Sequence, residues 1–301
     1  GEIRIDGQST LDVPANLRPT HMVFQSYAIF PHLDVAGNVG YGLRRLKLAR
    51  EEAQRRIEEA LDIVELGGLG KRRANELSGG QRQRGALARA LILKPKVLLL
   101  DEPLSALDKK LREQMQVELR QLQRAVGITF VLVTHDQYEA LTMSDRIAVM
   151  FEGKLAQVAQ PKTLYERPAS RRVASFIGGM NFIPASLRSA SAERLELDAG
   201  GFGTVVVPPP ATPLEAGREI VLGVRPERLR LQTVAQPGKR AIEGTVRDTS
   251  FFGESTYYYV SLPGRDEPLI VSVSNSAEHE LIEAGQKVQV TWDDRSLVPL
   301  S

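Results

Sequence analysis

The chain contains no cysteine in its 301 residues. Disulfides are therefore excluded, and so is a thiolate metal site; a reducing compartment fits this. No stretch approaches the ~18 consecutive apolar residues that a membrane-spanning helix needs. An excess of either charge is also lacking. The 39 basic and 37 acidic residues leave a formal net charge of +2. That balance gives no electrostatic reason to expect nucleic acid or an acidic membrane as the main partner. The opening "GEIRIDGQST" is charged and poor in apolar residues, so it does not read as a signal peptide. It has no initiator methionine and reads as a strand with a turn at Asp6-Gly7 already under way, so the chain is expected to begin inside a fold. No repeat of fixed period and no low-complexity tail stands out. What is present is an ordinary globular composition, 42% hydrophobic and 25% charged, and a length sufficient for two domains with a core each.

The two parts of the chain follow different patterns. Residues 1–178 alternate strand-like and helix-like segments. In "EEAQRRIEEALDIVEL", residues 51–66, apolar positions 57, 60, 61 and 64 form one helical face, and Gly67-Gly68 end it. Further helices are predicted over about 79–93 and about 106–126, the last closed by Gly127. "KVLLL" is a continuous apolar run, the pattern of a strand buried on both faces, and "ITFVLV" at 128–133 is another β-branched, apolar strand. "RIAVMFEGKLAQVA" reads as a hairpin turning at Glu152-Gly153. Alternating strands and helices predict a largely parallel sheet. From residue 179 to 301 helical periodicity nearly vanishes. Short β-rich runs such as "TVVV", "EIVLGV", "TYYYVSL" and "KVQVTW" are separated by turn residues, among them Pro208-Pro209-Pro210 and Pro263-Gly264. This spacing predicts a compact β barrel or sandwich. Tyr257, Tyr258 and Tyr259 read as strand packing on both faces rather than as an aromatic ligand box.

Four stretches stand out as candidate chemistry. In "VLLLDEPLSALD" an apolar strand runs into Asp101 and Glu102. Ligands of parallel α/β sheets sit beyond the carboxyl ends of the strands. Asp101 there could hold hydrated Mg²⁺ and Glu102 could orient and deprotonate a water; the competing reading is a strand end capped by surface acids. In "ELSGGQRQRGALARAL", Ser78 can cap a helix, with Gln81 where a capping box wants Glu or Gln. Gly79 and Gly80 bare the first-turn backbone N–H groups, which suits either a phosphate or an ordinary, if costly, helix start. His135 lies just past the strand at 128–133, and Gln25 closes another short strand. A γ-phosphate contact and a contact to Mg²⁺ or the attacking water are their functional readings; a surface histidine and a loop glutamine are the alternatives.

In their order, Gln25, "LSGGQRQR", "LLLDEP", "SALD" and "THD" resemble the nucleotide-binding domain of ABC transporters. The resemblance implies a P-loop-NTPase-like α/β fold over 1–178, followed by an OB-like all-β regulatory or dimerisation domain over 179–301. It implies ATP and Mg²⁺ as cofactors and two copies pairing head to tail, each ATP lying between one copy's acids and the other's "LSGGQ" helix. Ser78, Gly79, Gly80 and Gln81 would then contact nucleotide across the dimer. Asp101 would serve Mg²⁺, Glu102 the water, Gln25 and His135 the γ-phosphate end, and Asp108 would link the two sites. The region around Tyr27–Leu43 would receive integral membrane permease subunits. An extracytoplasmic solute-binding protein would act indirectly, and the protein would sit peripherally on the cytoplasmic face of the membrane.

Departures from the family pattern exist. No G-x-x-x-x-G-K-[ST] phosphate loop occurs. Gly70-Lys71, Gly153-Lys154 and Gly238-Lys239 are each followed by the wrong residue. In the family that loop lies upstream of the strand that "GEIRIDG" resembles, so it is expected outside this chain, and these 301 residues alone are expected to hydrolyse little or no ATP. A natural ABC-like regulatory protein without the loop is the competing reading. Gly37 stands where the family usually has Glu, and Gly85 where it usually has an apolar residue. "TLYERPASRRVASFIGGMNFIPA" and "GVRPERLRL" resemble the junction and a recurring element of importer ATPases with an extra C-terminal domain. "GQKVQVTWDDRSLVPL" looks most like the polyamine-type branch, with iron(III)- and sugar-type branches as competitors. ABC ATPases of DNA repair or translation would carry long coiled-coil insertions or a second cassette, and neither occurs here.

Overall fold

The computed structural model describes residues 1–209, 220–233, 240–276 and 281–300. Pro210 and the Gly238-Lys239 pair lie outside the described residues. The chain forms two compact units, Gly1–Ser144 and Asp145–Ser301.

The first unit opens on a two-stranded hairpin, β1 (Arg4–Ile5) against β2 (Gln8–Ser9). Asp6 and Gly7 form its turn at φ 53° and 76°, the left-handed pair that suits a two-residue hairpin. Then come β3 (Thr20–Val23), α1 (Val35–Val39), α2 (Arg50–Ile63), α3 (Gly79–Leu91), β4 (Val97–Asp101), α4 (Lys109–Val126), β5 (Thr129–Val133) and α5 (Gln137–Met143). The sheet is parallel in the order β3-β4-β5, as the alternation of strands and helices predicts. Along α4, Leu111, Met115, Leu119 and Leu122 recur at helical spacing and pack into the core with Leu87 of α3.

Strand β4 differs from its reading as a strand buried on both faces. Leu98 and Leu100 are buried, with Val23, Phe130 and Leu132 beside them in the core, whereas Val97 and Leu99 are half-buried. Successive residues of a strand face opposite ways. The register aligns Met22, Leu99 and Val131 on the second face. Met22 there is 38% exposed and Val131 45%. Two helix boundaries also differ. Helix α2 stops at Ile63, ahead of the glycines, because Glu65 already turns left-handed at φ 57°. Helix α4 starts at Lys109 because Asp108 caps it.

The second unit begins with the hairpin β6 (Ile147–Phe151) and β7 (Lys154–Ala159). Its turn falls on Glu152 and Gly153, as read from the sequence, at φ 53° and 75°. Helices α6 (Pro161–Glu166) and α7 (Arg171–Phe176) follow. Among the described residues ten strands follow: β8 (Asn181–Ala190), β9 (Leu195–Asp198), β10 (Thr204–Val207), β11 (Ile220–Val224), β12 (Arg230–Gln232), β13 (Ala241–Phe251), β14 (Ser255–Ser261), β15 (Leu269–Ser274), β16 (Lys287–Thr291) and β17 (Val298–Leu300). They form two antiparallel five-stranded sheets, β10-β9-β8-β11-β17 and β12-β16-β13-β14-β15, around one apolar core. The C-terminal half is all-β, as predicted. In β14, Tyr258 is fully buried, while Tyr257 and Tyr259 lie half-buried on the other face.

Two buried polar side chains tie this unit together. Asn181 of β8 exchanges two hydrogen bonds of 2.7 Å with the backbone of Ile270 in β15, one from its amide and one to its carbonyl oxygen. It thereby links one sheet to the other. Arg225, just after β11, donates to the carbonyls of Tyr165, Ala174 and Gly179 and lies 4.0 Å over the Tyr165 ring. It fastens α6, α7 and the residues after them to the β strands. The Tyr165 hydroxyl donates to Glu227 at 2.8 Å. Burial, with the neighbouring carboxylate second, pushes its pKa up to about 12, so it stays a donor across the ordinary pH range.

Candidate functional site

The parallel sheet brings three of the predicted residues together beyond its carboxyl ends. Gln25 follows β3, Glu102 follows β4 and His135 follows β5. The Glu102 carboxylate is the hub. His135 Nδ1 lies 3.1 Å from its Oε1 and Gln25 Nε2 3.4 Å from its Oε2. Ser105 completes the group: its hydroxyl accepts from Gln25 Nε2 at 3.0 Å and donates to the Glu102 carbonyl at 2.9 Å. The His135 side chain is 74% exposed, so the group is open to solvent.

The backbone at Glu102 is strained. Its φ is 44°, left-handed for a residue with a long side chain, and its N–H is held by the Val133 carbonyl at 2.9 Å. Such outliers persist only where neighbours over-determine them, and they concentrate at functional sites. Asp101 ends β4 opposite Val133. Among the described residues its half-buried carboxylate has no hydrogen-bond or ion-pair partner. No cluster of three or more His, Asp or Glu among the described residues could hold a metal by itself. The donor set is instead a lone carboxylate with an amide and a second carboxylate nearby. That suits a hard, oxygen-seeking ion such as Mg²⁺, which keeps waters and takes further ligands from phosphates.

Behind His135 lies a second network. Asp136 caps α5, accepting from the N–H groups of Tyr138 and Glu139, and pairs with Arg112 at 3.2 Å. Glu139 is buried and accepts from the Thr134 hydroxyl at 2.7 Å. Burial raises the pKa of its carboxyl above the usual value.

The remaining predicted residues lie elsewhere in the unit. Ser78 caps α3 and Gln81 returns the bond, so the predicted capping box is present. The Gln81 side chain is thus engaged with its own helix. Gly79 and Gly80 sit where a Cβ would come within 3.4 Å of Leu107 and 3.3 Å of Leu111, respectively. The contact at Gly79 is an ordinary one, whereas at Gly80 the start of α4 would have to give slightly for a side chain, a packing reason for glycine that the sequence did not suggest. Asp108 accepts from Leu111 N–H at 3.0 Å and caps α4 beside this contact. Among the described residues no hydrogen bond joins the Ser78–Gln81 turn to Gln25, Glu102 or His135. Within Tyr27–Leu43, Asn38 is buried and bonds the backbone of Phe30, Leu33 and Asp34. Phe30 stacks on Tyr41, which is 43% exposed, while Leu43 is buried.

Sequence reasoning missed Ser105 and the strain at Glu102. The only signal for Ser105 was a hydroxyl residue three positions after Glu102, where such side chains favour turns. Nothing in a glutamate announces a left-handed backbone.

Comparisons with known proteins bear on the family of the chain. The "ABC transporter" family model matches residues 1–105, the "MalK OB fold domain" model residues 179–229 and the "TOBE domain" model residues 222–300. The spermidine/putrescine import ATP-binding protein of Rubrobacter xylanophilus is 48% identical over 296 residues, covering 98% of this chain and 78% of that protein. Its counterpart of the same description in Frankia alni is 46% identical, covering 97% of this chain and 65% of that protein. The one in Thermobifida fusca is 45% identical, with 97% and 76% covered. With this identity along almost its whole length, the chain belongs to the ABC transporter family, as an importer-type ATP-binding subunit with an OB-fold C-terminal domain.

Proposed function

We propose that the protein hydrolyses ATP to drive a polyamine importer. The relatives' shared description as spermidine/putrescine import proteins supports the solute class over iron(III) or sugar. Among the described residues no helix is long and apolar enough to cross a membrane. The membrane passage would therefore belong to permease subunits, seated on the exposed parts of Tyr27–Leu43 at the cytoplasmic face. A solute-binding protein outside would deliver the polyamine. Residues 1–178 would form the nucleotide-binding part and 179–301 the OB-like part.

The observation that carries this reading is the group of Gln25, Glu102, Ser105 and His135 at the ends of three parallel strands. Glu102, braced by His135 on one oxygen and Gln25 on the other, is placed to take a proton from an attacking water. His135 would hold the γ-phosphate end. Asp101 and the Gln25 amide oxygen would hold Mg²⁺, which when bound supplies charge neutralisation for the phosphates. Ser78, Gly79, Gly80 and Gln81 would offer the N-terminus of α3 to the nucleotide of a second copy in a head-to-tail pair. Asp108, on the neighbouring helix start, would connect the two sites. The test is ATP turnover and spermidine uptake by the assembled importer carrying Glu102→Gln. Loss of both supports the reading, and unchanged turnover overturns it. Uptake of iron(III) or maltose in place of spermidine would keep the ATPase and discard the solute.

A further inference from the structure

Arg89 lies on α3, eleven residues after the Ser78 cap, and is half-buried. Its guanidinium donates to the carbonyl oxygens of Ala28 at 2.5 Å and Tyr27 at 3.1 Å, and its Cζ stands 5.3 Å over the Phe30 ring. The two residues it grips are both left-handed without being glycine, Tyr27 at φ 60° and Ala28 at φ 46°. Two consecutive non-glycine residues in that region are strained, and the strain persists only because something holds it. Arg89 supplies that hold: its two Nη atoms, at the fixed spacing of a planar fork, each take one of the two carbonyls, whereas an ammonium offers its donors from a single point on a flexible stem.

What the grip controls is Gln25. The Tyr27 N–H donates to the Phe24 carbonyl at 2.8 Å, closing a four-residue turn with Gln25 at its first corner. One side of that turn is anchored by β3 and the other by Arg89. The Tyr27 side chain is itself buried, which pins the turn from below. We infer that Arg89 is a positioning residue: it fixes the Gln25 turn to α3, so that the Gln25 amide moves with the helix that begins at Ser78. A shift of α3 would then reach the Glu102 carboxylate through Tyr27, Ala28 and Gln25, with no other connection required.

This inference rests on Gln25 belonging to the hydrolytic site, and a double-mutant cycle separates the two. ATP turnover is measured in the assembled importer for Gln25→Ala, Arg89→Lys and the pair, with thermal unfolding run alongside. Arg89→Lys keeps the charge and most of the stem but loses the fork. It is expected to lower kcat about tenfold with KM for ATP within about twofold, as a displaced catalytic group does. The pair is expected to be no worse than Gln25→Ala alone, because both changes remove one function. A third variant guards against a folding defect. Ala28→Gly, placed in the Arg89→Lys background, lets the turn take its left-handed shape without strain, and is expected to recover part of kcat. If Gln25→Ala leaves turnover intact, the site reading falls and the role of Arg89 with it. If Gln25→Ala lowers turnover while Arg89→Lys does not, or if the two losses multiply, Arg89 is not a positioning residue. Equal losses of kcat and melting temperature with no recovery by Ala28→Gly would reduce it to a packing residue.

Discussion

The two units place their polar groups in opposite ways. In the second unit, two buried polar side chains find their partners inside: Arg225 takes three backbone carbonyls and Asn181 both backbone groups of Ile270. In the first, the polar groups gather where the strands stop. Asp101 has no partner among the described residues, His135 stands largely in solvent, and Glu102 holds a strained backbone between them. Polar side chains satisfied inside, as Arg225 and Asn181 are, serve to keep a shape. A unit that leaves them at an open edge has left room for something else to complete them.

Substitutions can sharpen or break this contrast. The largest effect is expected at His135. His135→Ala should lower ATP turnover of the assembled importer about 100-fold, while leaving the melting temperature nearly unchanged, because the side chain is mostly exposed. A large fall in melting temperature would blur the distinction between the units. Arg225→Met should do the reverse. It leaves three carbonyls without their donor and is expected to cost about 3 kcal/mol of stability, read in denaturant unfolding of the second unit's signal; a cost near zero would show the network to be ornamental.

Glu139, like Asn38, is a buried polar side chain of the first unit that does have partners inside. Its raised pKa means that the folded protein binds this proton more tightly than the unfolded chain. Stability is then lost as pH rises from the ordinary value of 4.5 through the folded value. Glu139→Gln keeps an acceptor for Thr134 and removes the titration. Its advantage in melting temperature over the parent should therefore be larger at neutral pH than at about pH 4; an advantage independent of pH would refute the assignment. The smallest effect is expected at Gly85. A Cβ there would stand 3.9 Å from Leu66, an ordinary contact. Gly85→Ala should stabilise α3 by about 1 kcal/mol, measured by the shift of the unfolding midpoint.

The sequence was most legible where structure is local. The Ser78–Gln81 cap, the turns at Asp6-Gly7 and Glu152-Gly153, and the identity of β4 and β5 all depend on residues close together in the chain. The ends of the strands told where the candidate site would lie. What stayed hidden was non-local or conformational. Gln25 meets Ser105 across 80 positions, and no pattern in either segment names the other. Arg89 reads on a helix as one more solvated charge, and only the fold turns it inward. The apolar run Val97–Leu100 of β4 cannot say which of its faces is covered, because alternation is invisible when every residue in the run is apolar.

The Asn181 bridge has a kinetic consequence. Its partner Ile270 lies 89 residues further along the chain. The strands β13, β14 and β15 pair in sequence through short connections, so they can zip early. The amide bridge must wait until a loop of that length has closed, and closure entropy grows with the span. In pulse-labelled refolding the Ile270 amide should therefore gain protection from exchange after those of β14; simultaneous protection would mean that the two sheets meet before either is complete. The same side chain that joins the sheets at equilibrium thus marks, in time, the moment at which the second unit commits to its final topology.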